Sequence, residues 1–147
     1  MRLRDVEDVS KLTPAMQQYA KLKKNNESSL LFFRMGDFYE LFFDDAIITA
    51  KELNITLTKR GKVLNESIPM CGIPFHAANN YVPKLVKKGF EIAICEQTSS
   101  PEEMSLKGIK GPLTREVTRI ITPGTLIEEN HLELSLIHIS EPTRPNT

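Results

Sequence analysis

Tryptophan is absent from this chain of 147 residues, and cysteine occurs only twice, as Cys71 and Cys95. Two distant cysteines with no CxxC pattern and no Cys/His spacing argue against a disulfide framework and against a zinc site. They are expected as free, buried thiols. Net charge is also missing, since 19 basic and 19 acidic residues sum to a formal zero. Overall charge therefore gives no support to a nucleic-acid partner, and any basic surface must come from local clustering. No apolar run approaches the roughly 20 residues of a membrane-spanning helix, and the N-terminus lacks the apolar core of a signal peptide. The expectation is a cytoplasmic protein without membrane contact. Glycine is sparse and isolated, and no GxxxxGK[ST] loop occurs, which excludes a P-loop ATPase within this chain. What is present is ordinary for a globular domain: 40% hydrophobic and 26% charged residues, in a length that suits one domain with a real core.

The most informative stretch is 30–45, LLFFRMGDFYELFFDD. Leu30, Leu31, Phe32 and Phe33 have the length and character of a buried strand. The run breaks at Gly36-Asp37 and resumes with helical spacing. Asp37 reads as an N-cap, and Glu40, three residues on, as its acidic capping-box partner. Tyr39, Phe42, Phe43, Ala46, Ala50 and Leu53 then form one face of an amphipathic helix. Phe38, at the first helical position, lies off that stripe, so core packing does not require an aromatic there. On this local reading, Asp37 and Glu40 are helix caps and Phe38 is a staple over the strand.

The rest of the chain alternates helices and strands. Residues 1–11 read as a mobile lead-in. Thr13-Pro14 opens a helix, with Thr as cap and Pro where its missing N–H costs nothing, and Lys21, Lys23 and Lys24 suit its C-terminal end. Ile55-Thr56-Leu57-Thr58 alternates as a strand. Lys59-Arg60-Gly61-Lys62 then reads as a basic turn, either a solvated hairpin tip or a set of phosphate contacts. Pro69 and Pro74 confine 68–74 to an edge strand or an irregular stretch. His76 has no Ser, Cys or Asp partner nearby in sequence and reads as a capping or packing residue. Asn79 or Asn80 caps a helix carrying Tyr81, Val82, Leu85 and Val86, with Pro83 near its first turn and Gly89 at its end. A strand over 90–97, a long loop over 98–113 and a last strand over 117–122 complete the chain. The predicted fold is α/β, a mixed central β-sheet flanked by about three α-helices.

Several strings along the chain share one resemblance. GDFYELF, preceded by FFRM and followed by FDDA, is similar to the mismatch-recognition segment of the MutS family of DNA mismatch repair proteins. Thr13, Pro14, Met16, Gln18 and Tyr19 match that family's TPxMxQY, and LTKRG is a family string. Pro69, Met70, Gly72, Ile73, Pro74, His76 and Ala77 keep its PMxGIPxHA. CEQ, KGP, Arg115 and RIITPGT continue the match. The resemblance covers roughly 12–133. Residues 134–147, LSLIHISEPTRPNT, carry no family string and read as a tail of non-native sequence.

The resemblance implies a mismatch-binding domain that is not itself an enzyme. The family's Phe-x-Glu motif falls on Phe38 and Glu40, with Phe38 as the aromatic wedge and Glu40 as a polar contact to a mispaired base. Met35, Gly36, Asp37, Lys59, Arg60, Lys62, Met70 and Arg115 are the residues expected at or near the DNA backbone. The implied partner is double-stranded DNA with mispairs or small loops. The family's ATP and Mg²⁺ are bound elsewhere in a much longer chain, so no cofactor is expected here. Dimerisation, recruitment of MutL and a location at the bacterial nucleoid are implied for the full-length family. Two other classes stay open on the residues alone. Asp37, Glu40 and Asp44 lie within about 60° of one another on the predicted helix, where three carboxylates could hold Mg²⁺ for a nuclease. Phe38 could instead anchor a protein partner.

Overall fold

Leu30, Leu31, Phe32 and Phe33 are all buried, and they lie in β1 (Ser29–Met35). The other strands are β2 (Phe38–Phe42), β3 (Thr58–Val63), β4 (Glu66–Pro74), β5 (Glu91–Gln97) and β6 (Arg115–Ile121). They form one six-stranded sheet of order β3-β4-β2-β1-β5-β6. β1 and β5 run parallel, and the other neighbours run antiparallel. This computed structural model describes residues 12–63, 66–108 and 110–125. The expected lead-in at 1–11 and tail at 134–147 lie outside them.

Because β1 is buried on both faces, its run is continuous rather than alternating, and its side chains divide the core in two. Leu30 and Phe32 join Tyr39, Leu41, Cys71, Ile73, Ile92 and Ile94 on one face, under α2 (Phe43–Leu53) and α3 (Ala78–Lys87). Leu31 and Phe33 join Phe42, Ile68, Ala93 and Cys95 on the other, against Met16, Tyr19 and Ala20 of α1 (Pro14–Lys24). The α1 cap is as the sequence predicts: Thr13 accepts the Met16 N–H at 3.3 Å, with Pro14 at the first position. Tyr19 packs edge-on against Phe33 and Phe42, and its hydroxyl reaches the Phe42 carbonyl at 3.2 Å.

Several local expectations are corrected. The chain after Gly36-Asp37 is not a helix but β2, which pairs back on β1 through Phe33↔Glu40, Arg34↔Tyr39 and Met35↔Phe38. Gly36-Asp37 is thus a two-residue hairpin turn, with a positive φ of 60° at Gly36, as a type II′ turn requires. Gly-Asp between two apolar runs is itself a hairpin signal. Asp37 therefore caps no helix, Glu40 closes no capping box, and α2 begins only at Phe43. Phe43 has a left-handed φ of 57°. That flip breaks the strand's alternation, so the consecutive Phe42 and Phe43 both join the α1-side core.

Residues 55–57 are not a strand, and 59–62, expected as a turn, lie in β3 at the sheet edge. β4 is not an edge strand, yet it holds Pro69. That proline pairs with Lys59, where the β3–β4 register shifts by a bulge, the place an interior strand tolerates a residue without an N–H. Ala77, not Asn79 or Asn80, precedes α3, and no side chain caps it. His76 is exposed in the short 3₁₀ turn Phe75–Ala77. The expected loop after β5 contains α4 (Pro101–Lys107), with the Glu103 N–H donated to Ser100 Oγ at 3.0 Å. Ser100-Pro101-Glu102-Glu103 is a capping-box string that the loop reading passed over. No helix of the described residues is long and apolar enough to cross a membrane.

Candidate nucleic-acid interface

The β1–β2 hairpin places the site. Side chains alternate along a strand, so Tyr39 and Leu41 turn into the α2/α3 core, while Phe38, Glu40 and Phe42 share the face that carries α1. Phe42 is covered by Tyr19. Phe38, beyond the helix, is 45% exposed, and Glu40 between them is half-buried. The register extends this face sideways through Met35↔Phe38↔Pro74, Phe33↔Glu40↔Gly72 and Phe42↔Met70↔Thr58. Met35, Phe38, Glu40, Met70 and Gly72 are thus brought together at the open end of one sheet face.

Gly72 is a site residue that the sequence analysis assigned no role. Lying opposite Glu40, it leaves a gap in the row of side chains, and the Phe38 ring borders it. A Cβ built on Gly72 would stand 3.7 Å from Phe38 Cδ1.

Glu40 is bonded inside the protein. Arg60 Nη1 donates to Glu40 Oε1 at 2.7 Å, reaching across from the edge strand. Burial pushes the Glu40 carboxyl above its ordinary pKa, and the positive charges of Arg60 and Arg115 work against that rise.

Arg115, on β6, spends its donors within the fold. Nε donates to the Arg34 carbonyl at 2.7 Å, Nη1 to Gln18 Oε1 at 2.5 Å, and Nη2 to Met35 Sδ at 3.3 Å. Its guanidinium carbon lies 4.6 Å from the centre of the Phe33 ring. One side chain thereby ties β6, α1 and the end of β1 together beneath Met35.

The turn itself is pinned from the other face. Asp37 O accepts the Phe75 N–H at 2.7 Å, and Gly36 O accepts Arg34 Nε at 2.6 Å. Arg34 also pairs with Glu96 at 2.9 Å and lies 3.7 Å from the centre of the Phe75 ring. Tyr39 donates its hydroxyl to Glu96. Apart from the Arg34–Gly36 bond, these partners stand 38 to 62 positions apart in sequence, so no local pattern announces them.

The remaining expectations divide. Thr58 shares the Phe38 face through its pairing with Met70, so alternation sets Lys59, paired with Pro69, on the opposite face. Lys59 is exposed, and Lys62 is placed only by its backbone register, opposite Ser67. The expected basic cluster is therefore spread along an edge strand, and Arg60 is the member in contact with Glu40. The proposed metal face does not form: Asp37 lies in a turn, Glu40 in β2 and Asp44 in the first turn of α2. No group of three His, Cys, Asp or Glu among the described residues could hold a metal ion. The neighbouring Asp45 is structural. Buried beneath α1, it accepts the Leu31 N–H at 3.0 Å and pairs with Lys23 at 3.0 Å.

A family model described as MutS domain I matches residues 13–130. Two curated relatives, each called DNA mismatch repair protein MutS, match over 136 residues, or 92% of this chain. The one from Bartonella quintana (strain Toulouse) is 53% identical, and the one from Bartonella henselae (strain ATCC 49882 / DSM 28221 / CCUG 30454 / Houston 1) is 52% identical. The chain spans 14% of the length of each. A family model over most of the chain, together with relatives at 53% and 52% identity, places this chain in the MutS family, as its domain I.

Proposed function

We propose that the open corner of the sheet reads mispaired DNA, with Phe38 as the wedge and Glu40 as the polar contact. The observation that carries this reading is the exposed Phe38 ring beside a rigidly pinned two-residue turn. A phenyl ring there can slip between base pairs and kink the duplex. Unstacking costs a few kcal/mol per step, and less where a mispair already stacks badly. That difference discriminates without a base code. Glu40 then accepts an N–H from one base of the mispair, or meets it protonated, and a base that offers neither gains nothing from it. Met35, Gly36, Asp37 and Met70 line the approach. Lys59, Arg60 and Lys62 supply positive charge along the edge strand, and Arg115 supports the corner from within.

The domain is on this reading a binding module without catalysis or cofactor of its own. ATP and Mg²⁺ binding, dimerisation, MutL recruitment and a cytoplasmic, nucleoid-associated location belong to the longer protein of which such a domain is a part. The test is binding to a G·T duplex and its matched control at two salt concentrations. Phe38→Ala should weaken mismatch binding by one to two orders of magnitude, since base–aromatic stacking is worth about 1–3 kcal/mol. The fold should melt within a few degrees of the parent. A variant that binds normally, or that unfolds, would return Phe38 to a packing role.

A further inference from the structure

We infer that Arg60 is a specificity-determining positioning residue, which holds Glu40 by one oxygen and leaves the other to accept from a mispaired base. The inference rests on the reading of Glu40 given above and assigns Arg60 a task beyond general attraction to phosphate. The geometry is one-sided. Arg60 Nη1 meets Glu40 Oε1 at 2.7 Å, and among the described residues Glu40 Oε2 has no hydrogen-bond partner. A bidentate pair would occupy both oxygens; this one occupies one.

Three features of the sheet produce the arrangement. Gly72, registered opposite Glu40, puts no side chain of β4 between them. The register of β3 shifts between Lys59 and Lys62, the interval that holds Arg60, and such a bulge re-aims side chains. The Arg60 guanidinium carbon lies 5.8 Å from the centre of the Phe42 ring, in the next position along the same face, so an aromatic neighbour helps to fix its path.

The consequence for recognition follows from charge. A lone carboxylate carried into a polyanion's groove repels every duplex, matched or not. Paired with Arg60 it enters close to neutral, and what remains is an acceptor of fixed direction. A base that presents an N–H to that acceptor gains a charge-assisted bond, and one that presents a lone pair does not. Arg60 thus sharpens discrimination through Glu40, and its contribution vanishes when Glu40 loses its charge.

The charged groups facing Glu40 are Arg60 from β3 and Arg115 from β6. Arg115 is tied to Arg34, Gln18 and Met35, which leaves Arg60 as the one that a substitution can remove without dismantling the corner.

The first experiment needs no DNA. The Glu40 carboxyl is titrated by NMR in the parent chain and in Arg60→Ala, with Arg60→Gln in reserve should the alanine variant unfold. The expected result is a higher Glu40 pKa in the variant, and an unchanged one would overturn the inference. The second is a double-mutant cycle on G·T duplex binding. Arg60→Ala alone should weaken mismatch binding about tenfold, and in a Glu40→Gln background by less than about twofold, since coupled neighbours depart from additivity. Equal losses in both backgrounds would make Arg60 a phosphate contact and sink the inference, while a discriminating Glu40 would still stand. If Glu40→Gln discriminates as well as the parent, the base-contact reading of Glu40 falls, and this inference falls with it.

Discussion

The Phe38 ring lies against Gly72, with Cδ1 3.7 Å from the point a Gly72 Cβ would occupy. That spacing is ordinary van der Waals contact, so Gly72→Ala should fold normally and keep the ring in place. A branched side chain would fill the gap. Gly72→Ile should retain or slightly raise the melting temperature, because a β-branched residue suits a strand. It should also lower mismatch binding at least tenfold by displacing Phe38. Melting curves alongside duplex titrations separate the two effects, and an isoleucine variant with full binding would show that Phe38 needs no support from β4.

Acid should stabilise the DNA-free protein through the half-buried Glu40 and the buried Asp45. Burial raises Glu40 and Asp45 above their ordinary values, against the opposing charges of Arg60 and Lys23. Between the unfolded value and the raised folded one, the native state holds more protons than the unfolded chain. This contribution is therefore largest below the ordinary carboxylate range and is lost as pH rises through the raised values. Melting temperature should climb on mild acidification from neutral pH, and less steeply in Glu40→Gln. A parallel response in parent and variant would take Glu40 out of the account.

Arg115→Ala should destabilise the fold by about 2–3 kcal/mol, because a charged hydrogen-bonded group is lost and the Arg34 carbonyl is left without its donor. Arg115→Lys should recover little of it, since an ammonium cannot serve Arg34, Gln18 and Met35 together. Denaturant unfolding measures both. A silent alanine substitution would mean that β6 and α1 hold the hairpin without it.

Asp45→Ala should cost about 3 kcal/mol, because it strands the Leu31 N–H and leaves Lys23 without its carboxylate. Asp45→Asn keeps an acceptor for Leu31 and should cost less. The order of the two in urea unfolding is the check, and equal losses would place the whole effect in the Lys23 pair.

Cys71 and Cys95 should resist thiol reagents in the native state. Both are buried, and burial pushes each thiol up to about 12, which leaves little thiolate at neutral pH. Labelling should be slow and should accelerate on adding denaturant. Rapid labelling of the native chain would show that the sheet opens locally.

The sequence by itself determined the elements whose causes are local: the buried strand at Leu30–Phe33, the Thr13-Pro14 helix start and the alternation of strands and helices. Their periodicity, capping and composition lie within a few neighbouring residues. It misassigned 37–42, because FYELF carries both a strand's aromatic content and apolar spacing that fits a helix. Pairing with β1 on one side and β4 on the other decided for the strand. That pairing set Phe38 and Glu40 on one face by a period of two and separated Asp37 and Asp44 from them. Only the tertiary structure could bring Arg60 to Glu40, Gly72 under Phe38 and Arg115 beneath Met35. Such contacts depend on strand order and register, which are fixed by how two sheet faces share one core and leave no mark on the residues between.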